Sequence, residues 1–324
     1  MRLEQLMLAV AAAVVVGLGL YIPLARRHGW VAHVLARSSH QRVTAVGGGI
    51  VIAAVLVAVL VMAVTMGWLP DHWLWFGACA GVLSILGWLD DRRDLPVRLR
   101  LVGQCLVLSV WACLIVDTAV GMPWALLLLL VGVFAQLWFL NLFNFMDGLD
   151  GFAALEALFV LGVLVWLQWP VADTGVVYGL GLAAVAGFLV WNWPPAKVFM
   201  GDAGSLMLGF WLSAPLWLAG WEQLGVWLIV TAAFNVDASL TLLARWQRGD
   251  ALAQAHRSHL YQRLARHWGG HRPVLWALML VNGFWLLPWA WVAHTQADWI
   301  WASVVVAYGG LGLFWWRFRG LEAA

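Results

Sequence analysis

An all-α integral membrane fold, a polytopic bundle of about eleven transmembrane helices, is what the sequence predicts, and three observations predict it. The 324 residues are 64% hydrophobic and 10% charged, against roughly 25% charged in a soluble domain. About eleven apolar runs are long enough to cross a bilayer core of about 30 Å, which takes roughly 20 helical residues. With the amino terminus placed in the periplasm, every one of the eighteen Lys and Arg residues except Arg2 falls in a cytoplasmic loop or the carboxyl tail. That asymmetry is the one that orients membrane proteins, and it puts the carboxyl terminus in the cytoplasm.

Taken in order, the first run, 4–25, is longer than a signal core and precedes ten others, so it is expected as a retained helix. Runs follow at 47–68, 73–89, 99–117, 123–143, 151–169, 175–193, 203–220, 224–245, 273–293 and 297–318. No low-complexity linker, repeat or soluble segment interrupts them, so residues 1–324 read as a single transmembrane domain. Cys79, Cys105 and Cys113 lie inside runs without CxxC spacing and are expected as small apolar helix residues. Many of the 26 Trp residues stand at run ends, among them Trp68, Trp73, Trp75, Trp169, Trp191, Trp193, Trp299 and Trp301, where they serve as interfacial anchors.

The polar residues concentrate in five loops on the cytoplasmic face, which reads as one assembled site. The first loop carries Arg42, Thr44 and the glycines from Gly47 to Gly49. In the second, Asp90 and Asp91 end the third run, and Arg100 and Gln104 share a face of the next helix. A magnesium or general-base pair beside a phosphate-binding arginine explains them, and so does a solvated loop in which Arg92 and Arg93 neutralise the aspartates. The third loop, NLFNFMDGLDG, places Asn141, Asn144, Asp147 and Asp150 at steps of three, and Gly148 and Gly151 open the helix so that several oxygens face one point. Such a set suits a hard cation, or a base and ribose.

In the fourth loop, WNWPPAKVFMGDAGS, Asp202 lies near a helix N-terminus, where backbone amides favour an anion such as phosphate, and Phe199 offers a flat face to a base. A proline-rich connection with an N-capping Asp is the plainer reading. The fifth loop holds His256, Arg257, His259, Arg263, Arg266, His267 and His271. His256 and His259 lack a third ligand for zinc, so a basic cap over phosphates, or an amphipathic interfacial helix, fits better. Glu156 and Asp237 lie within or near runs, and an intramembrane carboxylate is a functional candidate by default; Asp237 could equally be held by Arg245 or Asn235.

These stretches, in this order, resemble the polyprenyl-phosphate N-acetylhexosamine-1-phosphate transferases of glycosyltransferase family 4, the group that includes the phospho-N-acetylmuramoyl-pentapeptide transferase. The resemblance runs from Gly47 to Pro273 and rests on the paired aspartates, NxxNxxDGxDG and VFMGDAGS. It implies a bundle of ten or eleven helices with its site in the cytoplasmic leaflet of the bacterial inner membrane. By resemblance, Asn144 and Asp202 hold Mg²⁺, with Mn²⁺ as an alternative, and Asp90, Asp91, Asp147 and His259 form the catalytic set. Asp147 and Asp150 flank the nucleotide, Gly148 and Leu149 lie beside uracil, Phe199 stacks on it and Asn192 bonds it. Arg100, His256 and Arg257 face the phosphates.

The implied reaction transfers a sugar 1-phosphate from a UDP-N-acetylhexosamine to undecaprenyl phosphate and releases UMP. The implied partners are those two substrates and the bilayer, with no nucleic acid; a homodimer stays open. The HRSHLYQ form of the fifth loop resembles the O-antigen-initiating branch, whose donors include N-acetylglucosamine and 6-deoxy sugars such as N-acetylfucosamine and N-acetylquinovosamine. The first loop departs from the pattern: Val43, Ala45 and Val46 stand where close relatives carry prolines flanking the threonine and an arginine before the glycines. A CDP-alcohol phosphotransferase would need an arginine between Phe152 and Leu155, which is absent. A secondary transporter would place its site near the midplane, away from these loops.

Overall fold

The computed structural model of the protein describes residues 3–32, 43–116, 122–168, 173–219, 221–251 and 256–321. Arg42 and Trp169 lie outside the described residues. The fold is all-α and polytopic. In chain order the helices are α1 (Leu3–Arg27), α2 (Gly49–Thr65), α3 (His72–Arg93), α4 (Val97–Ile115), α5 (Met122–Phe145), α6 (Phe152–Gln168) and α7 (Asp173–Asn192). They continue with α8 (Asp202–Ser213), α9 (Trp221–Val230), α10 (Ala232–Gln247), α11 (Leu260–His267), α12 (His271–Val281), α13 (Leu287–Thr295) and α14 (Ile300–Phe318).

Each expected run is helical, but length separates them. Among the described residues seven helices are long and apolar enough to span a membrane, taking α12 and α13 as one, and α9 with α10 makes an eighth although the pair bends by 67°. The bend follows Thr231, whose hydroxyl donates to the Trp227 carbonyl at 2.8 Å and accepts from Asn235 at 2.9 Å; a side chain inserted in the helical ladder is a standard cause of a break. Between α12 and α13 a π-helical turn, Asn282–Leu286, absorbs an extra residue.

The run at 203–220 is α-helical only in its first part. Its helix, α8, has 12 residues, about 18 Å at 1.5 Å per residue, and a 3-10 turn, Ala214–Leu218, with Pro215 in its first turn, ends it. All its residues from Ala203 to Ser213 are buried, with α2, α3, α5 and α6 packed around it. The run is apolar because protein surrounds it on every side, not because lipid does.

Trp73 is a correction. It is fully buried, at the edge of a ring cluster with Phe76, Trp111, Phe210 and Trp211 that joins α3, α4 and α8. Trp68, Trp75, Trp299 and Trp301 are exposed, as anchors require. Cys79 is buried, Cys105 half-buried and Cys113 exposed, and all three are free.

A two-stranded antiparallel hairpin, β1 (Val31–Ala32) and β2 (Thr44–Ala45), follows α1. It carries the first loop onto the fourth: the Phe199 amide donates to the Ala45 carbonyl at 2.8 Å, and the Gly48 amide to the Phe199 carbonyl at 3.0 Å.

Candidate active site

The site is built where α2, α3 and α5 meet the first turn of α8. Three glycines permit the approach. A Cβ on Gly87 would lie 2.2 Å from the Asp202 carbonyl oxygen, one on Gly49 2.1 Å from the Gly204 Cα, and one on Gly201 2.5 Å from Asp91 Oδ2. Helix α3 therefore delivers its paired aspartates directly against α8. Asp91 Oδ1 accepts from the Asp202 amide at 3.0 Å and Oδ2 from the Ala203 amide at 3.3 Å. The helix N-terminus expected to receive a phosphate is thus already capped by a carboxylate, which uses the same orphan amides and dipole. Asp90 is turned the other way: it accepts from Arg100 Nη1 at 2.6 Å and from the Leu95 amide at 2.8 Å. The Arg100 guanidinium also lies 3.8 Å from Asp202.

Helix α5 ends at Phe145, after Asn144 has reached α8. Asn144 Nδ2 donates to Asp202 Oδ1 and to Ser205 Oγ, both at 2.8 Å. Asn141, one turn earlier, donates to Gln104 Oε1 at 2.8 Å and ties α5 to α4 rather than entering the site. Beyond Phe145 the chain turns through Asp147, Gly148 and Leu149. Asp150 Oδ2 then accepts from the Ala196 amide at 3.0 Å, and His271 Nδ1 lies 3.3 Å from both Asp150 Oδ1 and its backbone nitrogen. Gly151, at φ +74°, donates its amide to Asn192 Oδ1 at 2.9 Å, and Asn192 Nδ2 donates to the Val198 carbonyl at 2.9 Å. Asn192, expected to bond uracil, spends both ends of its amide group pinning the third loop to the fourth.

Two adjoining cavities result. One, of about 280 Å³, is lined by Asn144, Asp147, Gly148, Leu149, Asp150, Asn192, Phe199, Asp202 and His271, with Ala32 and Val46 from the first loop. The other, of about 430 Å³, is lined by Asp90, Asp91, Asp94, Leu95, Arg100 and Asp202. Asp202 lines both.

The fifth loop contributes less directly than its composition implies. His271 lines the first cavity, whereas His256, Arg257 and His259 line neither. His259 is buried, stacked on His256 with ring centroids 4.8 Å apart, and faces Phe145 on the other side. Burial first, then His259 and Arg245, pushes the His256 imidazole down to about 4, so it is neutral at pH 7 and adds no charge to a phosphate-facing cap. Asp237 is held by neither Arg245 nor Asn235: its two oxygens accept from the Leu260 and Tyr261 amides at 2.8 and 2.9 Å, capping α11. Glu156 is likewise internal, accepting from Asn282 Nδ2 at 2.7 Å.

The Asp147 side chain has no hydrogen bond among the described residues while it lines the first cavity. Burial, and then Asp202, Asp91 and Asp150 around it, hold its carboxyl well above the usual range. Asp202 is pushed up to about 7, by burial first and then by Asp91 and Asp90. Opposite charge brought among these groups would relieve that cost. Among the described residues no three His, Cys, Asp or Glu side chains form a closed metal cage. An open set of one carboxylate and one amide, Asp202 and Asn144, fits Mg²⁺, which is ordinarily held by one or two carboxylates together with substrate phosphates.

Residues 73–219 match the profile described as glycosyl transferase family 4, a segment that contains Asp90, Asp91, Arg100, the whole third loop and the fourth loop through Asp202. That segment of the chain is similar to glycosyl transferase family 4. Its relatives include the decaprenyl-phosphate N-acetylglucosaminephosphotransferase of Mycolicibacterium smegmatis, 29% identical over 80% of this chain and 74% of that protein. The phospho-N-acetylmuramoyl-pentapeptide-transferase of Shouchella clausii is 29% identical over 74% of this chain and 80% of its own. The undecaprenyl-phosphate alpha-N-acetylglucosaminyl 1-phosphate transferase of Thermotoga maritima is 35% identical over 40% of each chain. Ser205, His271 and Tyr261 touch the third-loop residues or their backbone; His271 belongs to the fifth-loop set read from the sequence, whereas Ser205 and Tyr261 do not stand out there, because each is brought in by a separate helix.

Proposed function

We propose that this protein transfers an N-acetylhexosamine 1-phosphate from a UDP-linked donor to undecaprenyl phosphate, releasing UMP and starting a cell-surface polysaccharide. The observation that carries the reading is the pair of cavities meeting at Asp202, one lined by the nucleotide-type residues Asp147, Asp150 and Phe199 and the other by Asp90, Asp91 and Arg100. The names of the relatives support a polyprenyl phosphate acceptor and an N-acetylated sugar. The first cavity takes the nucleotide and the second the acceptor phosphate, so that the reacting phosphorus sits beside Asp202.

An oxygen of the acceptor phosphate attacks the sugar-bearing phosphorus of the donor. The new P–O bond forms as the bridging P–O bond to the nucleoside monophosphate breaks, and UMP leaves with the electron pair. A phosphate whose second pKa is near 6 is largely ionised at pH 7, so little proton removal is asked of the protein. Asp147, without a hydrogen-bond partner, is placed to accept what proton remains; Asp90 and Asp91 are committed to holding Arg100 and the α8 N-terminus. Asn144 and Asp202 would hold Mg²⁺, which would supply charge neutralisation for the phosphates. Arg100 adds a fixed cation between Asp90 and Asp202. The abundance of Lys and Arg in the site-side loops supports a site that faces the cytoplasm of a bacterial inner membrane.

UMP release by the purified protein tests the reading. With undecaprenyl phosphate and Mg²⁺, one donor among UDP-N-acetylglucosamine, UDP-N-acetylfucosamine and UDP-N-acetylquinovosamine should give labelled lipid, and chelation should stop it. Asp202→Asn should lower turnover by roughly a hundredfold or more, the scale for removing a principal charge stabiliser. Near-normal turnover in that variant would overturn the metal assignment.

A further inference from the structure

Tyr261, in the first turn of α11, reaches from the fifth loop into the third. Its hydroxyl donates to the Phe145 carbonyl at 3.0 Å, one of the unpaired carbonyls at the end of α5. The same oxygen lies against Gly148. A single hydroxyl therefore bonds the backbone two residues before Asp147 and packs against it one residue after. The approach is close enough that a Cβ on Gly148 would lie 2.2 Å from the phenol oxygen.

The ring is fixed as firmly as the hydroxyl. It is 3% exposed and stacks on Phe152 with centroids 4.7 Å apart and planes at 12°; Phe152 in turn stacks on Phe234 at 5.1 Å. The backbone beneath is anchored by Asp237, through the amide bonds that cap α11 at Leu260 and Tyr261. Burial pushes the phenol well above its ordinary range, so the hydroxyl keeps its proton and remains a donor throughout the working pH range.

We propose that Tyr261 is a positioning residue: it clamps the turn that aims Asp147 into the cavity and makes that aim depend on the docking of the fifth loop, an inference that rests on the transferase reading above. Asp150 and Phe199 are held by other bonds, to Ala196 and Ala45, so the clamp acts on Asp147 and not on Asp150 or Phe199. The buried carboxylate Asp237 acquires a purpose as the distant anchor of the same device.

The test uses the full-length protein in lipid nanodiscs, with UMP release measured against donor concentration. Tyr261→Phe keeps the ring stack and removes the hydroxyl. It should lower kcat roughly three- to tenfold, the scale of one hydrogen bond in this setting, with the donor KM unchanged. Gly148→Ala, which collides with the hydroxyl, should lose more, and Gly148→Ala combined with Tyr261→Phe should recover part of that loss. A wild-type kcat in Tyr261→Phe, a change confined to KM, or a double variant no better than Gly148→Ala would overturn the proposal. Hydrogen exchange of the 145–151 segment gives a reading independent of turnover: Tyr261→Phe should speed exchange across that segment, and an unchanged rate would overturn the clamp. Absence of UMP release by the wild type would count against the transferase reading alone.

Discussion

Replacing Asn192 with alanine separates two roles that one side chain could have. Asn192 is 3% exposed, accepts from the Gly151 amide at 2.9 Å and donates to the Val198 carbonyl at 2.9 Å. Alanine leaves one N–H and one C=O buried without partners, and each orphaned group costs about 1–3 kcal/mol, so the two together cost about 2–6 kcal/mol. At roughly 2 °C per kcal/mol for a large domain, the unfolding midpoint should fall by about 4–12 °C. Intrinsic-fluorescence melting of detergent-purified protein measures this, and UMP release against UDP-sugar concentration measures nucleotide binding beside it. If the variant melts with the wild type while its donor KM rises, Asn192 spends its amide on uracil and the loop-pinning role is refuted.

The remaining outcomes follow from the charges of the site. Asp147 is a half-buried carboxyl whose pKa is raised by desolvation and by the carboxylates around it, so the stability it contributes is full below about pH 4, its ordinary range, and is lost as pH rises through its shifted value. In chelator, Asp147→Asn should therefore melt above the wild type at pH 8 and level with it at pH 4, while turnover disappears; an unfolding midpoint equal to wild type at both pH values would contradict the burial argument. His256 has the opposite sign. Its pKa is lowered to about 4, so its contribution is present above about 6.5, the ordinary histidine value, and is lost as pH falls towards 4. His256→Gln should flatten the acid limb of the melting profile between those values, and an unaltered limb would refute the lowered value.

Much of the site is readable in the chain because its pieces are local. Asn144, Asp147 and Asp150 lie within seven residues of one another, Asp90 and Asp91 are adjacent, and each stretch must turn at a membrane boundary, where polar groups are tolerated at low cost. The roles inside those stretches are less readable. That Asp91 caps α8 while Asp90 faces Arg100 depends on how α3 is rotated against α8, which Gly87 and Gly201 decide by letting the backbones touch. Hydropathy alone also misjudges α8 and Trp73, since an apolar residue inside a protein and one facing lipid look the same in sequence.

By itself, then, the sequence determines that this is a helical membrane protein, which end carries the polar loops, and which short motifs supply carboxylates, amides and an aromatic face. Those properties are set by composition and by spacing over a few residues. Only the tertiary structure decides that Asp202 lines both cavities, that Asn192 and Asp237 brace loops, and that Tyr261 and His271 arrive beside Asp147 and Asp150 from a distant part of the chain. Hydrogen bonds reach about 3 Å, and no periodicity along a chain reports which residues more than a hundred positions apart will come within that distance.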